Sequence, residues 1–200
     1  MVLVVAVMAA GTLTWRATRP EPFRVAAPEV LFGGIAMKDD HKFHMGVAEI
    51  QAHGKDVTVL EVTALASDNV ELLGAVTSYG PDVATQGGPG GGGSAFPPKY
   101  MNTVHPIGEV IPASATSYVP KRWDHPAPII VSAGFRLMSG HSGGVNGVRI
   151  VYKVGNRQHT EIARFAAVAC DKTCDKAAKN DSDYYEKVLR AHGLLPADED

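Results

Sequence analysis

Two cysteines and a set of methionine–histidine neighbours are the first residues of this chain whose types and spacing could do chemistry. Cys170 and Cys174 are the only cysteines, with three residues between them. An even count suits a disulfide in an exported domain, and the chain-entropy model gives so short a loop about 2 kcal/mol of stabilisation. Zinc would want a two-residue spacing and a second ligand pair, and a redox pair would read Cys-x-x-Cys beside a βαβ unit. The pair is therefore read as a structural disulfide. Each methionine after the N-terminal run lies within four residues of a histidine: Met37 with His41, Met45 with His44, Met101 with His105, and Met138 with His141. Thioether and imidazole are soft ligands that favour copper, above all Cu(I). On a strand His44 and Met45 point to opposite faces. The set best able to converge is thus Met37, His41, Met138 and His141. Core methionines beside loop histidines explain the same pattern without a metal, so no cofactor is expected and copper is the alternative.

The third candidate is Ser142, within Gly140-His141-Ser142-Gly143-Gly144. The pentapeptide satisfies the Gly-x-Ser-x-Gly pattern of α/β-hydrolases, whose Ser sits on a turn from strand into helix. Here Val145 to Val154 alternate as a strand, so that helix is missing. It also resembles the Gly-Asp-Ser-Gly-Gly of trypsin-like serine proteases, with His141 in place of the Asp. A base would have to come from His53 or His105, and neither lies in the Ala-Ala-His-Cys setting of that family. A glycine-rich turn between strands accounts for the motif. A serine hydrolase using Ser142 is the second alternative, and no catalytic residue is assigned. Trp123 stands alone in Arg122-Trp123-Asp124-His125 and reads as a packed corner rather than a sugar platform.

Short apolar runs separated by turn residues must position these groups. Seven strands are predicted: Glu29–Met37, Phe43–Gln51, Asp56–Leu65, Val70–Tyr79, Ile129–Met138, Val145–Val154 and His159–Ala169. Alternation is clearest over Val57–Thr63 and Val148–Val154, where period two turns one face inward. Gly155 and Asn156 tolerate the positive φ of a tight hairpin, so the last two strands should pair. Asp68-Asn69 makes a weaker turn between the third and fourth strands. Between residues 80 and 128 the pattern fails around a glycine run, Gly87 to Gly93, which reads as a long surface loop. No Gly-Lys-Ser/Thr follows to make it a phosphate cradle. After Cys174 comes a helical pattern. Asp183 and Glu186 form a capping-box signature, Val188 and Leu189 share a face with Tyr184 and Tyr185, and Gly193 can close the helix.

The uncharged run Val2 to Trp15 is directed to a membrane. As a helix it would reach about 21 Å, short of a ~30 Å hydrocarbon core. A signal peptide would want a basic n-region and an Ala-x-Ala-like site, so an uncleaved signal-anchor is preferred over residues 1–19, followed by an extended linker at 20–28. Arg16 and Arg19 favour keeping that flank in the cytoplasm, a conflict a longer N-terminal helix would relieve. With 21 acids against 19 Lys plus Arg and a net charge of −2, there is no basic footprint for nucleic acid.

Taken with the seven strands, the anchor and Gly147-Val-Arg-Ile-Val-Tyr-Lys-Val-Gly155, the chain resembles uncharacterised membrane-anchored proteins of actinobacteria, in which a small sandwich follows one N-terminal helix. The expectation is an all-β, immunoglobulin-like two-sheet sandwich over residues 29–175, with a short C-terminal helix and acidic tail over 176–200. The expected role is a non-catalytic extracytoplasmic domain on a single-pass cell-membrane protein. Its partners would be the membrane, through the N-terminal helix, and an envelope protein.

Overall fold

Val57, Val59 and Val62 on one strand, and Val145, Val148, Ile150 and Tyr152 on another, are buried, while their neighbours Glu61, Arg149 and Lys153 are exposed. This alternation is what one covered face requires. In the computed structural model, which describes residues 23–24, 31–36, 41–85, 92–98 and 104–195, it builds a two-sheet sandwich. The strands are β1 (Phe23–Arg24), β2 (Leu31–Ala36), β3 (Lys42–Ile50), β4 (Val57–Asp68), β5 (Val70–Ser78), β6 (Gly92–Gly93), β7 (His105–Pro106), β8 (Ile129–Leu137), β9 (Ser142–Val154) and β10 (Arg157–Cys170). One sheet runs β1-β3-β8-β5-β7, with β6 also on β3; the other runs β2-β10-β9-β4. Pairing is antiparallel except for β2 on β10. The expected seven strands correspond to β2, β3, β4, β5, β8, β9 and β10. Residues 1–22, which hold the apolar run, lie outside the described residues, as do Met37, Met101 and the tail 196–200. Among the described residues no helix is long and apolar enough to cross a membrane.

The main core lies between the sheets. Phe43 and Phe135 stack there at 5.3 Å between ring centroids, beside Met45, Val131, Ile150, Tyr152 and Phe165. β9 and β10 form the expected hairpin, with Val154 opposite Arg157. The Asp68-Asn69 turn does not close a hairpin. Asn69, at φ 56°, is the corner where the chain leaves one sheet for the other.

A second cluster covers the outer face of the four-stranded sheet. Ala166, Val168 and Cys170 meet Cys174, Val188, Leu189 and Leu194 there. With both faces covered, all six residues from Phe165 to Cys170 are buried, and the alternation gives way to a continuous apolar run. Three helices are described: α1 (Ala113–Thr116), α2 (Lys172–Ala178) and α3 (Tyr184–Ala191). The C-terminal segment thus holds two short helices where one was expected. α2 begins before Cys174, because Asp171 accepts from the Thr173 and Cys174 N–H groups and starts a helical turn. The Asp183–Glu186 capping box does not form; Asp183 makes no side-chain cap bond and accepts from the Ser182 hydroxyl instead.

The described parts of the segment from 80 to 128 are packed on the sandwich. It holds a 3₁₀ turn at Gly80–Thr85, β6, β7 and α1. A Cβ at Gly134 would lie 2.1 Å from the Phe96 ring, so that glycine lets Phe96 lie on the sheet. Val83, Ala127 and Ile130 form a small cluster with Trp123 against it, which is the packed corner expected of that tryptophan. His44 is buried beneath the same segment, its Nδ1 2.6 Å from the Ala95 carbonyl oxygen. Burial lowers its pKa, against the opposing effect of that bond.

Candidate functional site

One end of the sandwich gathers most of the singled-out residues. Asn69 holds the turn between β8 and β9 with its whole side chain. Its Nδ2 donates to the carbonyls of Ser139 at 2.6 Å and Ser142 at 2.7 Å, and its Oδ1 accepts from the Ser139 N–H and hydroxyl. Leu137 N–H donates to the His41 carbonyl at 3.0 Å, so His41 sits beside the strand end that carries Met138. His141 points elsewhere: its Nδ1 lies 2.6 Å from Asp171 Oδ2, and the Asp171 N–H donates back to the His141 carbonyl. Of the proposed copper set, Met37 lies outside the described residues, His41 is joined through its backbone to Leu137, the neighbour of Met138, and His141 is engaged with a carboxylate. Among the described residues no group of three or more His, Cys, Asp or Glu side chains is placed to hold a metal ion. Cys170 and Cys174 are joined as a disulfide within the outer cluster, their Cα atoms 5.2 Å apart.

Ser142 begins β9 opposite Cys170, and its side chain lies on the outer face beside the C-terminal helices. Its Oγ is 3.4 Å from His192 Nε2, and His192 Nδ1 is 2.5 Å from Asp68 Oδ2. Asp68 ends β4, in register with Gly144. A Cβ at Gly143 would lie 2.9 Å from the Asp68 carbonyl oxygen and 2.8 Å from Val70, so glycine after the serine lets the two chains close together. His192 caps α3. The Leu194 N–H donates to the Leu189 carbonyl and the Gly193 N–H to that of Arg190, with Gly193 at φ 67°. These are the two bonds of a Schellman closure, and buried Leu189 and Leu194 supply its apolar contact. A carboxylate can only accept, so in the neutral ring the His192 Nδ1 facing it is the protonated nitrogen and Nε2 is the acceptor that faces the Ser142 hydroxyl. The imidazole beside Ser142 is therefore that of His192, not of His53 or His105. Sequence reasoning finds the helix that ends at His192, but no spacing connects it with a serine 50 residues earlier and an aspartate 124 residues earlier.

The opposite end, roughly 35 Å away along β4, holds a concavity of about 310 Å³ lined by Tyr79, Pro81, His105, Ala115 and Tyr118. Val57 bonds with Ile111 there, and β7 adds to β5 beside it, with Thr77 opposite His105. Tyr79 stacks on His105 at 4.4 Å, and His105 Nδ1 lies 3.4 Å from both the Tyr79 hydroxyl and Glu109 Oε2. Burial raises the Tyr79 pKa, with the Glu109 charge adding to it. Val110 and Val119, on the same connection, are exposed.

No protein-family model matches the chain, and no curated protein matches it. Among solved structures it is similar to the ASH / PapD-like domain of human CEP192 (PapD-like domain 7), with a TM-score of 0.33 and 10% identity, covering 77% of this chain and 90% of that one.

Proposed function

We propose that this chain is an interaction domain, an immunoglobulin-like sandwich tethered outside the cytoplasm by residues 2–15, that grips an apolar side chain of a protein partner. The concavity at Tyr79 and Tyr118 carries this reading. Its walls are aromatic and apolar, its volume suits one or two side chains, and Val110 and Val119 are exposed on the same connection. Tyr side chains supply contact area at low entropic cost, and apolar concavities with a few polar atoms at the rim are where ligands bind. The His105–Glu109 pair gives that rim polar partners for a peptide backbone. The disulfide suits an oxidising compartment, in keeping with export.

Linear peptides selected on the wild-type protein from a displayed library should carry an apolar or aromatic anchor. Tyr118→Ser should weaken them roughly tenfold or more, while Ile162→Ala, on an exposed strand face away from the pocket, should leave them unchanged. No selectable peptide, or binding indifferent to Tyr118→Ser, overturns the docking role. Two free thiols in protein taken from its own membrane overturn the extracytoplasmic placement.

A further inference from the structure

We propose that Ser142 is an acyl-accepting nucleophile, with His192 as its base and Asp68 as the residue that positions the base, and that it acts on short-chain carboxylic esters. The inference is independent of the peptide-docking role, which uses the other end of the sandwich.

Three elements far apart in sequence supply one line of groups in the order that general-base activation of a serine needs. Asp68 fixes the imidazole through Nδ1, Nε2 faces the serine, and the hydroxyl stands at 3.4 Å. That distance is long for a ground-state hydrogen bond, and serine–base contacts of unliganded enzymes are commonly loose. The imidazole is held on both sides: only 19% of its side chain is exposed, although 58% of the Asp68 side chain is. The Schellman closure of α3 and the Leu189–Leu194 contact anchor the backbone of His192, so the ring is presented by a fixed element. Ser142 is likewise held, its carbonyl bonded to Asn69 and its successor pressed against the Asp68 backbone. A merely structural bridge between helix and strand would need only the His192–Asp68 contact. The placement of Nε2 on a hydroxyl goes beyond it.

The surroundings set the substrate class. Ser139, Gly140 and His141, which lead into Ser142, are exposed, so an ester can approach the hydroxyl from that turn, while Gly143 is packed against Val70 and the Asp68 backbone, which favours a short acyl group. An ester is favoured over an amide because an alkoxide leaves with less help from the base than an amine does. In the first half, the Ser142 Oγ–carbon bond forms as its proton passes to His192 Nε2, the ester C–O bond breaks, and the alcohol takes that proton. In the second half, water adds to the acyl carbon, its proton goes to His192 and then to Ser142 Oγ, and the carboxylic acid departs. Ester and water become alcohol and acid, and the protein is unchanged.

The test is labelling of the full chain by an alkyl fluorophosphonate, followed by intact mass and peptide mapping, with p-nitrophenyl acetate hydrolysis measured in parallel. Wild type should gain one adduct on Ser142, and Ser142→Ala should gain none. His192→Gln, which keeps much of the volume but has no base, should react about 100-fold more slowly, and imidazole added to His192→Ala should restore part of the rate. Asp68→Asn, whose amide can still bond the ring but can donate to Nδ1 and turn it to the wrong tautomer, should slow labelling with the melting temperature nearly unchanged, a loss that tethering of the helix alone would not produce. Thermal melts of each variant confirm that it is folded. Absence of an adduct on folded wild type, labelling at an undiminished rate in folded His192→Gln, or an adduct on a residue other than Ser142 overturns the assignment. Each of these leaves peptide binding at Tyr118 untouched, so the two readings fail separately.

Discussion

Asp171 holds three groups at once: the Thr173 and Cys174 N–H donors that open α2, and the His141 ring. Partial burial pushes its carboxyl upward, but the bonds from Cys174, His141 and Thr173 outweigh that and leave its pKa below the ordinary value of 3.8. A carboxylate with a depressed folded pKa contributes stability above its unfolded value and loses it as pH falls through the folded one. Asp171→Ala should therefore cost about 1 kcal/mol at neutral pH, as loss of a helix cap does. In urea unfolding series, the gap between wild type and variant should narrow as pH drops below 3.8. A gap that stays constant down to pH 2 would show that ionised Asp171 is not the source.

The helices and strands differ in how openly the sequence announces them. β4 and β9 alternate over Val57–Thr63 and Val148–Val154 and can be read directly, while β8, buried almost throughout, shows itself as a continuous apolar run. β1, β6 and β7 are two residues long and have no period at all. α2 is seven residues long and carries no full apolar stripe, so the sequence announces it only through Asp171 ahead of Thr173 as a start signal. The packed state of the 92–98 segment was hidden too. The segment is anchored by the pairing of β6 with β3, by Phe96 against Gly134 and by Ala95 on His44, all joining residues far apart in the chain. That pairing gives a prediction at this scale. Gly134→Ala would drive its Cβ into the Phe96 ring and expel it, so protease cleavage between residues 86 and 98 should accelerate while the core strands stay protected. Unchanged cleavage would mean that the segment is held by something other than Phe96. The candidate site divides in the same way: Ser142 was visible as a motif, whereas Asp68 and His192 are ordinary residues that only the sheet order and the docking of α3 bring to it.

Across the whole molecule, β9 and β10 separate two apolar clusters of unequal size. The larger lies between the sheets and draws on six strands; the smaller lies outside and consists of α2, α3 and one face of the β10 end. The disulfide belongs wholly to the smaller one, joining the last residue of β10 to the first helix beyond it. Because the closed loop is so short, cutting it restores only the entropy of a few residues in the unfolded chain, about 2 kcal/mol in the chain-entropy model. The same cut loosens α2, which is then held by the Asp171 cap, the His141 pairing and the packing of Cys174 in the outer cluster. Reduction should therefore lower the midpoint of denaturant unfolding modestly and leave one cooperative transition from the inter-sheet core. Hydrogen exchange should rise first in Lys172–Ala178, then in Tyr184–Ala191, while β8 and β9 amides keep their protection until global unfolding. If β9 amides exchanged together with α2 on reduction, the two clusters would be a single cooperative unit and the outer helices would be part of the main core.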